Sequence, residues 1–149
     1  MTPRPGFEEW LLDVAEAVAQ RSRDPSTKVG AVVVRPDKSF AAVGYNGFPR
    51  EMPDDPDLYE DRQKKYPRIV HAEMNAILSS MDPVRGYTLA VTHPPCEVCA
   101  KLIAAAGIRH VIFRSHSGVS DRFDTRMAIQ IFAECGIAVT EIFDENGHL

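Results

Sequence analysis

The sequence lacks the features that export and membrane insertion require. It has three cysteines in 149 residues, too few for the disulfide frameworks of small secreted domains. No apolar run approaches the roughly 20 residues that cross a bilayer, and residues 1–6 contain no apolar signal core. We therefore expect a cytoplasmic protein that does not enter a membrane.

The sequence also lacks an excess of positive charge. Lys and Arg together number 17 against 21 Asp and Glu, which gives a formal net charge of −4. A broad nucleic-acid footprint needs clustered basic side chains that replace counterions on the phosphate backbone. We therefore expect no nucleic-acid partner, although one phosphate held by one or two local cations is compatible with this balance.

Length and composition are typical of a single globular domain. A chain of 149 residues suits one hydrophobic core, so we expect one domain over residues 1–149. Hydrophobic residues make up 44% and charged residues 26%, which are ordinary values for a domain that buries a core.

The hydrophobic pattern alternates between helical and extended spacing. Residues 7–20 carry apolar side chains every three or four positions, which predicts a first helix. Short β-branched runs predict strands at 29–34, 40–43, 87–92, 110–113 and 138–143, and periodic segments predict further helices at 71–81, 96–106 and 122–135. The order αββαβαβαβ predicts a three-layer α/β protein, a five-stranded sheet with helices on both faces.

Residues 45–68 do not fit this alternation. The segment contains four prolines and many acids and shows no sustained period, so we expect a long loop. A loop of that length inside a compact domain is usually functional or mobile.

Two short motifs carry metal-ligand chemistry, H-A-E at residues 71–73 and P-C-E-V-C at residues 95–99. A catalytic zinc ion takes three protein ligands and keeps an open position for water. The imidazole of His71 and the thiolates of Cys96 and Cys99 supply three such ligands. If a helix opens at Cys96, the i, i+3 spacing puts both sulfurs on one face, and the positive helix end favours thiolates.

Each motif alone has a plainer explanation. A cytosolic C-x-x-C could be a redox pair, and a histidine in a lone H-x-E is usually solvated or satisfied by its neighbours. Together they form the H-x-E and P-C-x-x-C signature of zinc deaminases. We therefore predict zinc at His71, Cys96 and Cys99, with Glu73 beside the metal as an acid–base group rather than a ligand.

With these motifs the chain resembles the deoxycytidylate (dCMP) deaminases of the cytidine deaminase superfamily. The resemblance runs from about residue 11 to residue 139 and rests on DPSTKVGA at 24–31, GYNGFP at 44–49, HAEMNAI at 71–77 and PCEVCAK at 95–101. The zinc motif marks the superfamily, whereas the first two segments point to the dCMP branch. The resemblance implies a mixed five-stranded sheet, a zinc cofactor at two helix N-termini, and a homo-oligomer, whether hexamer, tetramer or dimer.

The resemblance also implies an activity, the hydrolysis of dCMP to dUMP and ammonia, with Glu73 transferring the protons. The backbone N–H of Ala72 is expected to meet the base carbonyl, and Asn46 the sugar or the phosphate. Further residues expected at the pocket are Thr27, Lys28, Arg23, Pro95 and His93. Local explanations remain open for some of them, because Asn-Gly pairs favour turns and residues 27–28 could simply be exposed and solubilising.

Two departures from the family pattern leave regulation and exact substrate open. Regulated relatives bind dCTP or dTTP near the GYNG-x-P loop and usually continue that loop with glycine. Here residues 50–55 read REMPDD, and we expect these side chains to fill the space and the acids to repel a triphosphate. Residues 114–118 read RSHSG where many relatives carry an acid–tyrosine pair. A modified pyrimidine nucleotide or another amino-heterocycle is therefore an alternative substrate.

Two rival functions share part of the pattern. A nucleic-acid deaminase of the tRNA adenosine type carries the same motifs but needs basic residues at the pocket mouth, and the acidic residues 54–61 argue against it. A zinc-stabilised module without activity needs a fourth ligand and no free carboxylate, and the presence of Glu73 argues against that.

Overall fold

Five strands form one sheet in the structure, a computed structural model in which residues 2–116 and 125–144 are described. The strands are β1 (Gly30–Val34), β2 (Phe40–Tyr45), β3 (Thr88–Val91), β4 (His110–His116) and β5 (Ala138–Asp144). Across the sheet their order is β2-β1-β3-β4-β5. β1 pairs antiparallel with β2 and β3, whereas β3 with β4 and β4 with β5 are parallel. The expected mixed sheet is therefore confirmed.

Helices cover both faces of this sheet. The helices are α1 (Phe7–Ala19), α2 (Pro56–Glu60), α3 (Arg62–Lys65), α4 (Ala72–Ser79), α5 (Glu97–Ala106) and α6 (Arg126–Glu134). α1 packs on one face, and the other face holds α4, α5 and α6. The three-layer arrangement is confirmed. Among the described helices, none is both long and apolar enough to cross a membrane.

The core consists of two layers that meet at β1, whose five residues are all buried. Successive side chains of a strand point to opposite faces. Val32 and Val34 therefore pack with Leu11 and Leu12 of α1, whereas Val33 belongs to the larger cluster that contains α4, α5 and α6. The continuous apolar run in the sequence reflects burial on both sides.

The segment at residues 45–68 corrects the expectation of a loop, because it contains α2 and α3. The Asp55 carboxylate accepts a hydrogen bond from Asp57 N, and the Asp61 carboxylate accepts one from Gln63 N, so each short helix has a capped start. Helices of five and four residues are too short to show a hydrophobic period. The predicted helix at 122–135 begins in residues outside the described ones, and its described part is α6.

Two helices begin at the sheet edge where β3 ends. α4 lies close against β2, because a Cβ at Gly44 would come within 2.3 Å of Ala76 N. α5 follows β3 directly and ends at Gly107, whose φ of 89° is the left-handed conformation typical of helix ends. His71 is the N-cap of α4 and Cys96 is the N-cap of α5. The fold thus brings the two sequence motifs together.

Candidate active site

Three ligand atoms converge where α4 and α5 begin. The Nδ1 atom of His71 lies 3.1 Å from Cys99 Sγ and 3.6 Å from Cys96 Sγ, and the three donor atoms lie within 4.8 Å of one another. His71 and Cys96 occupy N-cap positions, and Cys99 lies in the first turn of α5. The i, i+3 spacing on α5 therefore places both sulfurs toward the imidazole.

This donor set fits a zinc ion. A tetrahedral zinc ion with bonds of about 2.3 Å to sulfur and about 2.0 Å to nitrogen separates its ligand atoms by about 3.5 Å, close to the distances between His71 Nδ1 and the two sulfurs. Within residues 2–116 and 125–144, no other group of three or more His, Cys, Asp or Glu side chains converges in this way. Three protein ligands are the number that catalytic zinc sites use, which leaves the fourth position to water or substrate.

The electrostatics of the site favour binding of a cation. The pKa of Cys96 is lowered, first by the hydrogen bond with the Cys99 side chain and also by His71. The pKa of Cys99 is raised, first by the same bond and then by burial. Cys99 N also lies 3.5 Å from Cys96 Sγ, at the positive end of α5. A divalent cation bound between the two sulfurs favours the thiolate form of both and displaces their protons.

Glu73 stands beside the donor set without belonging to it. It is the second residue of α4, its exposure is 4%, and it lines the same cavity as His71 and Cys96. Burial raises the pKa of its carboxyl group. A carboxyl whose pKa is raised holds a proton more readily than an exposed carboxyl does, which suits an acid–base group.

A cavity of about 380 Å³ opens in front of these groups. Ala72 lies in its wall as the first residue of α4, so its backbone N–H has no acceptor within the helix. His71 and Cys96 line this cavity together with polar and charged residues, among them Arg62 and Lys65. Its described lining residues are Asp24, Ser26, Thr27, Val29, Asn46, Arg62, Lys65, Tyr66, Ile69, His71, Ala72, Glu73, His93, Pro94 and Cys96.

Four of the residues expected at the substrate lie in this wall: Asn46, Ala72, Thr27 and His93. The amide of Asn46 also holds the neighbouring loop, since its Oδ1 accepts from Val29 N at 2.9 Å and its Nδ2 donates to Thr27 O at 2.9 Å. The Nδ1 atom of His93 lies 2.8 Å from the Thr92 hydroxyl oxygen, which fixes the ring. Asn46 therefore both shapes the cavity and faces it.

The structure does not bring Arg23, Lys28 or Pro95 to the cavity wall. Arg23 Nε lies 3.2 Å from Asp54 Oδ2, and the Arg23 side chain is 70% exposed. Lys28 is exposed outside the lining, and Pro95 is buried behind it. The local carboxylate of Asp54 explains why Arg23 turns away from the site.

Sequence reasoning missed the wall that α3 contributes. Arg62, Lys65 and Tyr66, at the start and the end of this short helix, line the cavity. The side chain of Lys65 is buried and its Nζ lies 3.3 Å from Asp24 Oδ1. The cap at Asp61 followed by helix-forming residues was the available signal for this helix. Nothing in the local sequence indicated which way it faces.

A second cavity, of about 430 Å³, lies beside the GYNGFP segment. Of residues 50–55 only Arg50 lines it. The expectation that the side chains of residues 50–55 fill this space therefore applies at most to Arg50, because Asp54 pairs with Arg23 and Asp55 caps α2. The other lining residues are Val43, Gly44, Tyr45, Phe48, Pro49, Asn75, Leu78 and Ser79.

Comparisons with known proteins agree with this geometry. The family model described as "Cytidine and deoxycytidylate deaminase zinc-binding region" matches residues 6–115. A deoxycytidylate deaminase of Mus musculus is 40% identical over 137 residues, which cover 88% of this chain and 76% of that protein. A deoxycytidylate deaminase of Mycobacterium phage D29 is 39% identical over 127 residues, which cover 76% of this chain and 98% of the relative.

A solved structure of similar fold also carries substrate and product. The dCMP deaminase of the cyanophage S-TIM5, in complex with dCMP and dUMP, superposes with a TM-score of 0.73 at 30% identity. The superposition covers 95% of this chain and 100% of that chain. The similarity therefore extends over nearly the whole chain, well beyond the metal-ligand motifs.

Proposed function

The chain belongs to the cytidine and deoxycytidylate deaminase family, and we propose that it is a zinc-dependent hydrolase that converts dCMP and water to dUMP and ammonia. One observation carries the proposal. Buried Glu73 and Ala72 line the same cavity as His71 and Cys96, whose donor atoms converge with the sulfur of Cys99.

His71, Cys96 and Cys99 would hold the zinc ion. When bound in such a site, zinc lowers the pKa of water toward neutrality and makes a nucleophile available at pH 7. The protein's contribution is to keep the sulfurs ionised and the imidazole neutral and oriented. The N-terminus of α5 supports the first requirement, and the N-cap position of His71 on α4 orients the imidazole toward both sulfurs.

Glu73 would carry the protons of the hydrolysis. It accepts one proton from the attacking water, whose oxygen bonds to C4 of the base, and passes that proton to N3. It then takes the remaining proton of the new C4 hydroxyl group and delivers it to the amino nitrogen. The bond between C4 and this nitrogen breaks, ammonia leaves, and the C4 carbonyl of uracil forms. Glu73 ends the cycle as it began, which suits an acid–base group.

The remaining wall residues would orient the nucleotide. The N–H of Ala72 is placed to donate to the base carbonyl, since it has no acceptor within α4. Asn46 and Thr27 would border the sugar, and His93 would lie beside the base. The contacts of Asn46 with residues 27 and 29 support this role, because they hold the loop in a fixed position before substrate arrives.

We also propose that the chain assembles with copies of itself in the cytoplasm. Large apolar side chains remain exposed on α5 and α6, among them Val98 at 49%, Leu102 at 41% and Met127 at 42%, and exposed apolar surface of this kind favours association. A reducing compartment keeps Cys96 and Cys99 available to the metal. Light scattering on the purified protein would give the number of subunits.

The experiment that tests the function is a substrate panel. The zinc-loaded protein is incubated with dCMP, CMP, 5-methyl-dCMP, deoxycytidine, dCTP and adenosine, each with and without added dCTP or dTTP, and ammonia release is followed. We expect dCMP to be the preferred substrate. Preference for 5-methyl-dCMP would move the assignment to a modified nucleotide, and activity on none of the pyrimidines would overturn it.

A further inference from the structure

The geometry points to Arg62 as the residue that binds the 5′-phosphate and makes the cavity prefer nucleoside monophosphates over nucleosides. This inference rests on the proposed function and names a specificity-determining residue for it. Arg62 is the first residue of α3, in the segment for which the sequence predicted only a loop, and this exposed residue lines the same cavity as His71 and Cys96.

The charges around the cavity leave one cation available. Four charged residues of the wall other than the metal ligands are described: Asp24, Arg62, Lys65 and Glu73. Lys65 and Asp24 neutralise each other, with 3.3 Å between Nζ and Oδ1. A divalent metal ion and two thiolates also sum to zero. Within the described part of the chain, Arg62 makes no ion pair, so its charge is not compensated locally.

The phosphate is the part of a nucleotide substrate that the positive charge of Arg62 would stabilise most. A phosphate monoester carries about −1.5 to −2 charges at pH 7, and it would otherwise approach Glu73 in a cavity without net positive charge. The planar guanidinium offers two parallel N–H donors to two phosphate oxygens, which a lysine cannot reproduce. Arg62 therefore provides both the charge and the geometry that the phosphate requires.

Further hydrogen-bond donors line the same cavity as Arg62. Lys65 lies three residues after Arg62 and therefore on the same side of the helix, and it reaches Asp24. The same Asp24 carboxylate accepts hydrogen bonds from Ser26 N at 2.8 Å and Thr27 N at 3.4 Å. Ser26 and Thr27 also line the cavity. The buried ion pair thus fastens α3, which carries Arg62, to the loop that carries Ser26 and Thr27, and all three residues line the cavity.

Arg23 and Lys28, the two cations expected at the pocket, are less suited to this role. Arg23 and Arg62 are both exposed, but Arg23 is engaged by Asp54, and Lys28 lies outside the cavity lining. Arg62 lies in the wall and has no such competing carboxylate among the described residues. The cation that binds the phosphate thus comes from the segment between β2 and α4, which is separate in sequence from the zinc motifs.

The test compares Arg62→Gln with Lys64→Gln, which removes the same charge from an exposed side chain of the same helix outside the cavity. For each zinc-loaded protein, kcat/KM is measured with dCMP and with deoxycytidine. Loss of a charged hydrogen bond lowers affinity about 10- to 100-fold. We expect the ratio of kcat/KM for dCMP to kcat/KM for deoxycytidine to fall by that factor in Arg62→Gln, mainly because KM for dCMP rises. In Lys64→Gln we expect this ratio to stay unchanged. Arg62→Lys is expected to recover part of the loss.

An unchanged ratio in Arg62→Gln would overturn the inference, whether neither substrate loses activity or both lose it equally. A binding measurement separates this outcome from failure of the proposed function. If the wild-type protein deaminates no pyrimidine, calorimetry with dUMP and deoxyuridine still reports on the phosphate. Weaker dUMP binding by Arg62→Gln alone then supports the role of Arg62 although the reaction assignment has failed. Equal affinities of the wild-type protein for dUMP and deoxyuridine would refute it.

Discussion

Lys65 and Asp24 form a buried ion pair that joins two segments 41 residues apart, with 3.3 Å between Nζ and Oδ1 and side-chain exposures of 7% and 6%. Asp24 also accepts hydrogen bonds from the backbone N–H groups of Ser26 and Thr27. One carboxylate therefore organises the loop before β1 and fastens α3 to it, and both pieces of chain line the cavity.

Replacement of Lys65 by Met is expected to destabilise the fold. Removal of one partner leaves the Asp24 carboxylate buried without its counter-charge, which costs about 3 to 5 kcal/mol. Urea unfolding monitored by circular dichroism measures the change. Lys64→Met, at an exposed position of the same helix, is the matched control and is expected to shift the free energy of unfolding by less than about 0.5 kcal/mol.

The double variant Lys65→Met/Asp24→Asn distinguishes an uncompensated charge from lost side-chain contacts. Because the double variant removes both charges, we expect it to recover a large part of the free energy of unfolding that Lys65→Met loses. If the double variant were as unstable as the sum of the two single variants, the electrostatic explanation would be wrong and packing around residue 65 would be the cause.

Glu73→Gln is expected to retain zinc and lose turnover. The amide has nearly the same shape as the carboxyl but cannot accept and release a proton, and acid–base groups contribute about 10²- to 10⁴-fold to rates. Zinc content is measured by atomic absorption and turnover by ammonia release from dCMP. A zinc-loaded Glu73→Gln protein of normal activity would show that another group transfers the protons.

Cys99→Ser is expected to lose zinc and thermal stability together. With free zinc a thousandfold above its Kd, a bound ion contributes about 4 kcal/mol, which corresponds to a drop of about 10 °C in Tm for a chain of this size. Cys135→Ser removes a thiol that is exposed and outside the site. It serves as the control and is expected to keep its zinc and its Tm. Scanning calorimetry and zinc analysis are the measurements. Full zinc occupancy in Cys99→Ser would contradict the ligand set.

The contribution of Asp82 to stability is expected to depend on acid pH. Its carboxylate accepts hydrogen bonds from Arg35 Nε and Nη2 at 3.1 and 3.0 Å and one from the Tyr87 hydroxyl. Arg35 foremost, with Tyr87, lowers the pKa of Asp82 from 3.8 to about 2. Since the folded pKa is the lower one, the unfolded chain binds the proton more readily, and this stabilisation is lost as the pH falls from about 4 toward 2.

The matching measurement is urea unfolding of wild type and Asp82→Asn, both stripped of metal, at a series of pH values. We expect the wild type to be the more stable above pH 5, and the difference to shrink below pH 4. A difference that stayed constant down to pH 3 would show that the Arg35 pair contributes through shape rather than charge.

Most of the fold was predictable because its signals are local. The β-branched run ending at Val34 predicted a buried strand, and Gly107 marked the end of α5 correctly. The prediction failed at α2 and α3, whose stability comes from contacts that are not local. The ring of Tyr59 stacks on Phe48 at 4.0 Å between centroids, which holds α2 against the rest of the protein. No hydrophobic period in the segment predicts that contact.

The candidate site divides in the same way. The metal ligands could be identified because metal binding requires particular residue types at particular spacings, and two short motifs contain them. These ligands are His71, Cys96 and Cys99. The cationic wall was not identifiable, since the approach of Arg62 depends on tertiary contacts such as the Lys65–Asp24 pair. Arg23 was expected at the pocket, and the structure shows Asp54 engaging it instead.

The placement of α2 and α3 between β2 and α4 has an evolutionary consequence. The reactive groups lie on helices anchored to the sheet, whereas Arg62, Lys65 and Tyr66 belong to an excursion outside the sheet and its covering layers. Mutations at Arg62 or Tyr66 can alter which nucleotides or nucleosides are admitted without touching the metal ligands or Glu73. A lineage of such proteins could thus exchange one substrate for another while inheriting its chemistry intact.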